Sequence, residues 1–277
     1  MKVAFTTCVQ LGKSCIEEIY KIGGSLDLLI TLKDEKAKNK SGRIYLDEIS
    51  KEHNVPLLKI NHINDREVLD AIKEYEIDWL FIIGWSQIAG EAVLKAPTYG
   101  CVGMHPTLLP KGRGRAAIPW AILKGLDKTG VTMFKLDAGV DTGDIIGQGI
   151  IPMDETTTAT ELYEKVDEMH IQLIRDYWDA VVNNTVELKK QDNSIATEWP
   201  GRKPADGEIF SEMTMVEAER LVRAVTHPYP GAFYIKEDKK VIIWKAKVQT
   251  EAQEDGIKLK DGYLIPMEYE VISLEEA

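Results

Sequence analysis

The sequence predicts an α/β fold, a mostly parallel sheet with flanking helices, followed by a small C-terminal α+β or all-β domain. Three observations predict it. Short continuous apolar runs such as Asp78-Trp79-Leu80-Phe81-Ile82-Ile83-Gly84 have the length and composition of strands buried on both faces. Between them lie segments with helical spacing, such as Val68, Leu69 and Ile72 on one face of Asp65 to Tyr75. Near residue 189 the composition turns polar, and Lys189 to Pro200 reads as a linker. At 277 residues the chain suits one large domain over 1–190 and a smaller one over 200–277.

The elements follow in order. Val3 to Thr7 is a strand, Gly12 to Ile22 a helix, and Leu26 to Leu32 a second buried strand. Residues 33–43 form a charged loop before a helix over Leu46 to His53 and a strand over Pro56 to Ile60. After the helix at Asp65 to Tyr75, the strand Asp78 to Gly84 ends at Gly84-Trp85-Ser86. A short helix, Ala89 to Leu94, is stopped by Pro97. Gly100 to Met104 is a strand that delivers His105 at its end. Ala116 to Lys124 is a helix, Gly130 to Leu136 and Asp144 to Ile151 are strands, and Thr160 to Val182 is a long amphipathic helix. Past the linker come a turn-rich stretch over 201–207, a helix at Met215 to Val225, and strands at Phe233–Ile235, Lys240–Lys247, Ile257–Lys260 and Gly262–Ile265. Strands alternating with helices place ligands beyond the carboxyl ends of the strands, as in Rossmann-like sheets.

Bulk properties exclude several classes. A net charge of -11 argues against a nucleic-acid partner, because phosphate neutralisation dominates such affinity. Cys8, Cys15 and Cys101 are too few and too scattered for a disulfide framework or a metal site, so the expected compartment is the reducing cytoplasm. The first apolar run is too short for a signal peptide, and no run reaches membrane-spanning length, so no membrane partner is expected. Gly12-Lys13-Ser14 resembles the end of a phosphate-binding loop, but Thr7 stands where that loop needs glycine. No G-x-G-x-x-G follows the first strand.

The chemistry concentrates in Val102-Gly103-Met104-His105-Pro106-Thr107-Leu108-Leu109-Pro110-Lys111-Gly112-Arg113-Gly114-Arg115. A lone histidine is structural by default. His105 instead ends a strand, is held extended by Pro106, and opens a loop. Asp141, between Gly139 and Gly143, is a candidate partner for proton transfer. It is equally readable as a turn aspartate, and Asp137 and Asp144 compete with it. Arg113 and Arg115, spaced by glycines and beside Lys111, offer forked donors to an anion. His53, His62 and His170 read as structural or exposed, and His227 before Pro228 as a packing residue at least as much as a substrate contact.

Gly103 to Gly114 resembles the formyltransferase signature, in which Asn-x-His-Pro-Ser-Leu-Leu-Pro leads into an Arg-Gly loop. Asp137 to Gly143 resembles the same family's Asp-x-Gly-x-Asp-x-Gly folate loop, and Ala205 to Ile209 with Val222 to Ala232 resembles its C-terminal domain. The resemblance implies a Rossmann-like catalytic domain that uses 10-formyltetrahydrofolate, with His105 and Asp141 catalytic and no metal. It implies folate contacts at Trp85, Ser86, Ala138, Gly139, Val140, Asp141 and Asp144. It implies sugar-nucleotide contacts at Lys111, Arg113 and Arg115. Lys36 to Gly42, Gly84-Trp85-Ser86 and Gly112 to Ala116 with Pro119-Trp120 look most like the sugar N-formyltransferases, which formylate the amine of a nucleotide-activated aminodeoxy sugar. A homodimer is an open expectation. The methionyl-tRNA formyltransferases, with their basic surface and longer tail, are the alternative, and a homologue that binds folate or sugar nucleotide without catalysis is the non-enzymatic one.

One position departs from the family. Its asparagine, which donates to the formyl oxygen, is Gly103 here. Loss of one such donor typically costs about 10²–10³ in rate. The expected replacements are Ser86 or Gln87 at the neighbouring strand end, a backbone N–H, or water in the space glycine leaves.

Overall fold

The computed structural model describes residues 1–37 and 42–273. The chain opens with strand β1 (Val3–Thr6), helix α1 (Gln10–Lys21), β2 (Leu28–Leu32), α2 (Asp34–Ala37), α3 (Asp47–His53) and β3 (Leu57–Ile60). Then come α4 (Arg66–Glu74), β4 (Trp79–Ile82), α5 (Glu91–Lys95), β5 (Gly100–His105), β6 (Arg113–Gly114) and α6 (Ala117–Leu123). The middle holds β7 (Lys128–Lys135), β8 (Ile145–Pro152), α7 (Ala159–Val182) and β9 (Glu198–Trp199). The rest is α8 (Met215–Val225), β10 (Ala232–Lys236), β11 (Lys239–Gln249), β12 (Ile257–Lys258) and β13 (Tyr263–Ser273).

The chain divides into two compact units. The first comprises residues 1–113, 130–151 and 166–198. Its seven-stranded sheet runs β3-β2-β1-β4-β5-β7-β8. The pairs among β1 to β5 are parallel, and β5 pairs antiparallel with β7. Every residue of β1, β2 and β4 is buried, which is why these strands read as unbroken apolar runs. Phe5 and Phe81 stack at 5.9 Å across the β1–β4 pair, and Trp178 from α7 lies 5.5 Å from Phe81. The strand order reverses between β1 and β4. In such sheets that reversal opens a crevice beyond the carboxyl ends of the strands, where ligands bind.

The second unit comprises residues 114–129, 152–165 and 199–277. An antiparallel sheet, β10-β11-β13-β12, carries α8 and α6 packs on α8. A capping box starts α8: Thr214 accepts from the Glu217 N–H while Glu217 accepts from the Thr214 N–H. The units therefore interleave along the chain, and α6 and the start of α7 belong with the C-terminal sheet rather than with a domain ending near residue 190. The last strand is longer than the expected Gly262–Ile265. Its far half alternates Met267, Tyr269 and Val271 with Glu268 and Glu270 but is exposed on both faces, and it pairs with β11 as far as Lys239–Ser273.

Among the described residues no helix is long and apolar enough to cross a membrane, and no cluster of His, Cys, Asp or Glu could hold a metal. All three cysteines are buried thiols, and burial pushes Cys101 up to about 12. His170, in the buried face of α7, has Nδ1 against the Val166 carbonyl oxygen at 2.7 Å. Burial lowers it from 6.5 to about 4, helped by the charge of His105. Between those values the unfolded chain binds a proton that the folded chain refuses, so stability should fall as pH drops from 6.5 to 4. His170→Gln is expected to remove about 3 kcal/mol of that decline. Urea unfolding of both proteins across this pH range checks it, and parallel pH curves would contradict it.

Candidate active site

His105 is the last residue of β5, and strand alternation puts it on the same face as Gly103. The chain turns at once, with the Thr107 N–H donating to the His105 carbonyl at 2.8 Å. The imidazole is buried. Its Nε2 lies 2.8 Å from the Gly112 carbonyl oxygen, and its Nδ1 lies 3.6 Å from Asp141 Oδ2. A carbonyl can only accept, so Nε2 carries its hydrogen in either charge state. The proton that comes and goes is therefore the one at Nδ1, between the ring and Asp141.

The loop geometry selects Asp141 from the three competing aspartates. Asp137 Oδ1 accepts from the Gly139 N–H at 3.1 Å and from Thr142 Oγ1 at 2.6 Å, so Asp137 closes the turn. The Asp144 carbonyl accepts from the Lys135 N–H at 2.9 Å, joining β7 to the chain entering β8. Only Asp141 pairs with the imidazole. It does so from the left-handed region, at φ 53°, which is uncommon for a residue with a side chain. Gly143 is obligatory beside it, since a Cβ there would run into the Lys135 carbonyl oxygen.

The space at Gly103 is already taken. A Cβ there would lie 2.7 Å from Leu136 Cδ2 and 3.2 Å from its Cγ. A water in a gap left by glycine is thus corrected: Leu136 fills that side. Gln87 is also corrected as a replacement donor. Its Oε1 accepts from the Ile63 N–H at 2.9 Å and its Nε2 donates to the Asn61 carbonyl at 3.0 Å, so the amide ties down the chain after β3. Ser86 is exposed beyond β4. Trp85 is half-buried, with its indole N–H enclosed and without a hydrogen-bond partner in the structure. Ala138, Gly139 and Val140 present an exposed loop tip, and Val140 is 58% exposed.

Arg113 has a structural role that the sequence did not announce. It is buried, and the Nε and Nη2 edge of its guanidinium is held within the protein. Nε and Nη2 donate to Gln191 Oε1 at 3.2 and 2.7 Å, and Nη2 also donates to Asn193 Oδ1 at 2.7 Å. A buried guanidinium needs such partners, and they fix its orientation. Lys111 and Arg115 are exposed. His227 stacks on Trp244 at 3.9 Å, a packing role. Of the loop Lys36 to Gly42, residues 38–41 lie outside the described residues.

The segment read as a linker supplies the residues that sequence reasoning missed. Besides holding Arg113, Gln191 donates through Nε2 to the carbonyls of Asp141 at 2.9 Å and Gly143 at 2.7 Å. Thr197 Oγ1 accepts from the Gly112 N–H at 2.9 Å. No periodicity marks such residues. The polarity that suggests a solvated linker is spent on protein partners instead.

Known proteins share both parts of this architecture. The formyl transferase profile matches residues 13–176, and the formyl transferase C-terminal domain profile matches residues 202–276. Methionyl-tRNA formyltransferase of Alkaliphilus oremlandii is 29% identical over 283 aligned positions, covering 100% of this chain and 91% of that protein. Among solved structures, the N-formyltransferase of Helicobacter canadensis, crystallised with folinic acid and dTDP-3-aminofucose, superposes with a TM-score of 0.74 at 21% identity, covering 98% of this chain and 100% of that one. Methionyl-tRNA formyltransferase of Clostridium thermocellum superposes at 0.64 and 21% identity, covering 99% of each chain. With both profiles matched across most of its length, the chain belongs to the formyl transferase family and is a formyltransferase.

Proposed function

We propose that this enzyme transfers the formyl group of 10-formyltetrahydrofolate to the amine of a nucleotide-linked aminodeoxy sugar. The observation that carries the transfer chemistry is the His105–Asp141 pair at the carboxyl end of β5, with the exchangeable proton at Nδ1. The acceptor class rests on charge. At -11 the chain is a poor host for the many phosphates of a tRNA, whereas one nucleoside diphosphate asks for only a local contact at exposed Lys111 and Arg115.

The residues present fit a folate. The exposed tip at Ala138 to Val140 offers apolar surface to a pterin, with Trp85, Ser86 and Asp144 beside it as further contacts of this reading. When bound, the folate supplies an electrophilic formyl carbon. One C–N bond to the acceptor amine forms and one to the departing folate nitrogen breaks. His105 holds its proton at Nδ1, against the negative charge that builds on the formyl oxygen. Asp141 supports the charged ring and receives the proton that the attacking amine sheds. The proton that leaves the amine ends on the departing nitrogen, so the pair relays it and returns unchanged.

The sequence relatives that act on methionyl-tRNA favour a second reading, and one experiment separates the two. Turnover is measured with a panel of UDP- and dTDP-linked aminodeoxy sugars and with methionyl-tRNA, at low and high salt. The account expects formylation of one sugar at a rate that changes less than about threefold with salt. Preferential formylation of tRNA, with affinity falling steeply as salt rises, would replace the sugar reading.

A further inference from the structure

We propose that Gln191 is a positioning residue that holds Asp141 in register with His105. The proposal rests on the catalytic reading of Asp141. The Gln191 amide is used on both sides. Its Nε2 donates to the Asp141 and Gly143 carbonyls at 2.9 and 2.7 Å, and its Oε1 accepts from Arg113 Nε and Nη2 at 3.2 and 2.7 Å. Turning the amide over would set donors against the guanidinium and an acceptor against two carbonyls, so the surroundings fix its orientation. Arg113 in turn is anchored to Asn193 at 2.7 Å.

Asp141 needs such a tie. Its left-handed backbone is not one that a residue with a Cβ adopts readily, and its carboxylate lies 3.6 Å from Nδ1 in that conformation. The Gln191 bond falls on the carbonyl of Asp141 itself, so the rotation that would swing the carboxylate away breaks it. The same segment reaches the other catalytic residue. Thr197 accepts from the Gly112 N–H through Oγ1 at 2.9 Å and from the Arg113 N–H through its carbonyl at 2.9 Å, and donates to the Pro110 carbonyl at 3.2 Å. Gly112 is the residue whose carbonyl holds His105 Nε2. Residues 191–197 are therefore a strap: one end sets the carboxylate and the other sets the imidazole.

A double-mutant cycle tests this. Formyl transfer is measured for Gln191→Ala, Gln191→Glu, Asp141→Ala and the combined variants, with thermal unfolding recorded for each. Gln191→Ala is expected to lower kcat by about 10- to 100-fold, the scale of a small misplacement of a catalytic group, with KM for both substrates within about threefold. Gln191→Glu keeps acceptors for Arg113 but has no N–H for the two carbonyls, so it should lose as much. It also carries the test if the alanine variant folds poorly. In the Asp141→Ala background either change should alter kcat by less than about twofold, because the carboxylate it positions is gone. Equal losses in both backgrounds, or a Gln191→Glu enzyme with wild-type kcat, would overturn the proposal. A slow Asp141→Ala beside a fast Gln191→Ala would remove the strap alone, whereas an Asp141→Ala with wild-type kcat would remove the catalytic reading and the strap with it.

Discussion

His105→Ala is expected to lower kcat for formyl transfer by about 10³-fold, within the 10²–10⁴ range of general acid–base groups, and Asp141→Asn by a similar factor. Nε2 is occupied by the Gly112 carbonyl, so all useful proton movement is at Nδ1, the nitrogen on the side of Asp141. Alanine deletes both the charge and the proton. Asparagine keeps the size of Asp141 but can neither balance an imidazolium nor take a proton from the amine. Both losses belong to the transition state, so they should appear in kcat while KM for folate and acceptor stays within a few fold. A rise in KM at constant kcat would mean that the pair binds substrate rather than moving protons.

Gly103→Asn combined with Leu136→Ala is expected to exceed Leu136→Ala alone in kcat by about 10²-fold, the worth of one restored oxyanion donor. The backbone permits it. Gly103 lies within β5, paired with Ile82 and Phe134, and is not among the positive-φ glycines. The obstacle is Leu136, whose side chain meets any Cβ at that position. Gly103→Asn alone is therefore expected to reduce activity, since displaced Leu136 lies one residue before the loop that carries Asp141. Removing the leucine opens the space. If the double variant gains nothing over Leu136→Ala, another donor already occupies the oxyanion position, and Ser86 or a backbone N–H becomes the group to test.

How much was legible depended on whether a feature is local. β1 and β4 were legible because strands buried on both faces read as unbroken apolar runs, and α4 because Val68 and Ile72 recur at helical spacing and are both buried. His105 and its family were legible from one contiguous motif. Asp141 was legible over Asp137 only through the resemblance to that family's loop, because in the residues themselves the difference turns on a left-handed backbone and a bond from Thr142. The structural role of Arg113 was hidden for a related reason. Arginine between glycines resembles an anion site, and the Gln191 and Asn193 that bury it lie far along the chain. The same distance hid the strap, and the packing of α6 on α8 hid the interleaving of the two units.

The most direct measurement follows tetrahydrofolate release and the formylated amine together, with 10-formyltetrahydrofolate and the amino-sugar nucleotide panel, for the native enzyme and for His105→Ala side by side. The account predicts that the native enzyme forms the two products in equal amounts and that the variant is slower by about 10³-fold. Equal rates from the two proteins, or folate deformylated with no acceptor amine modified, would contradict it.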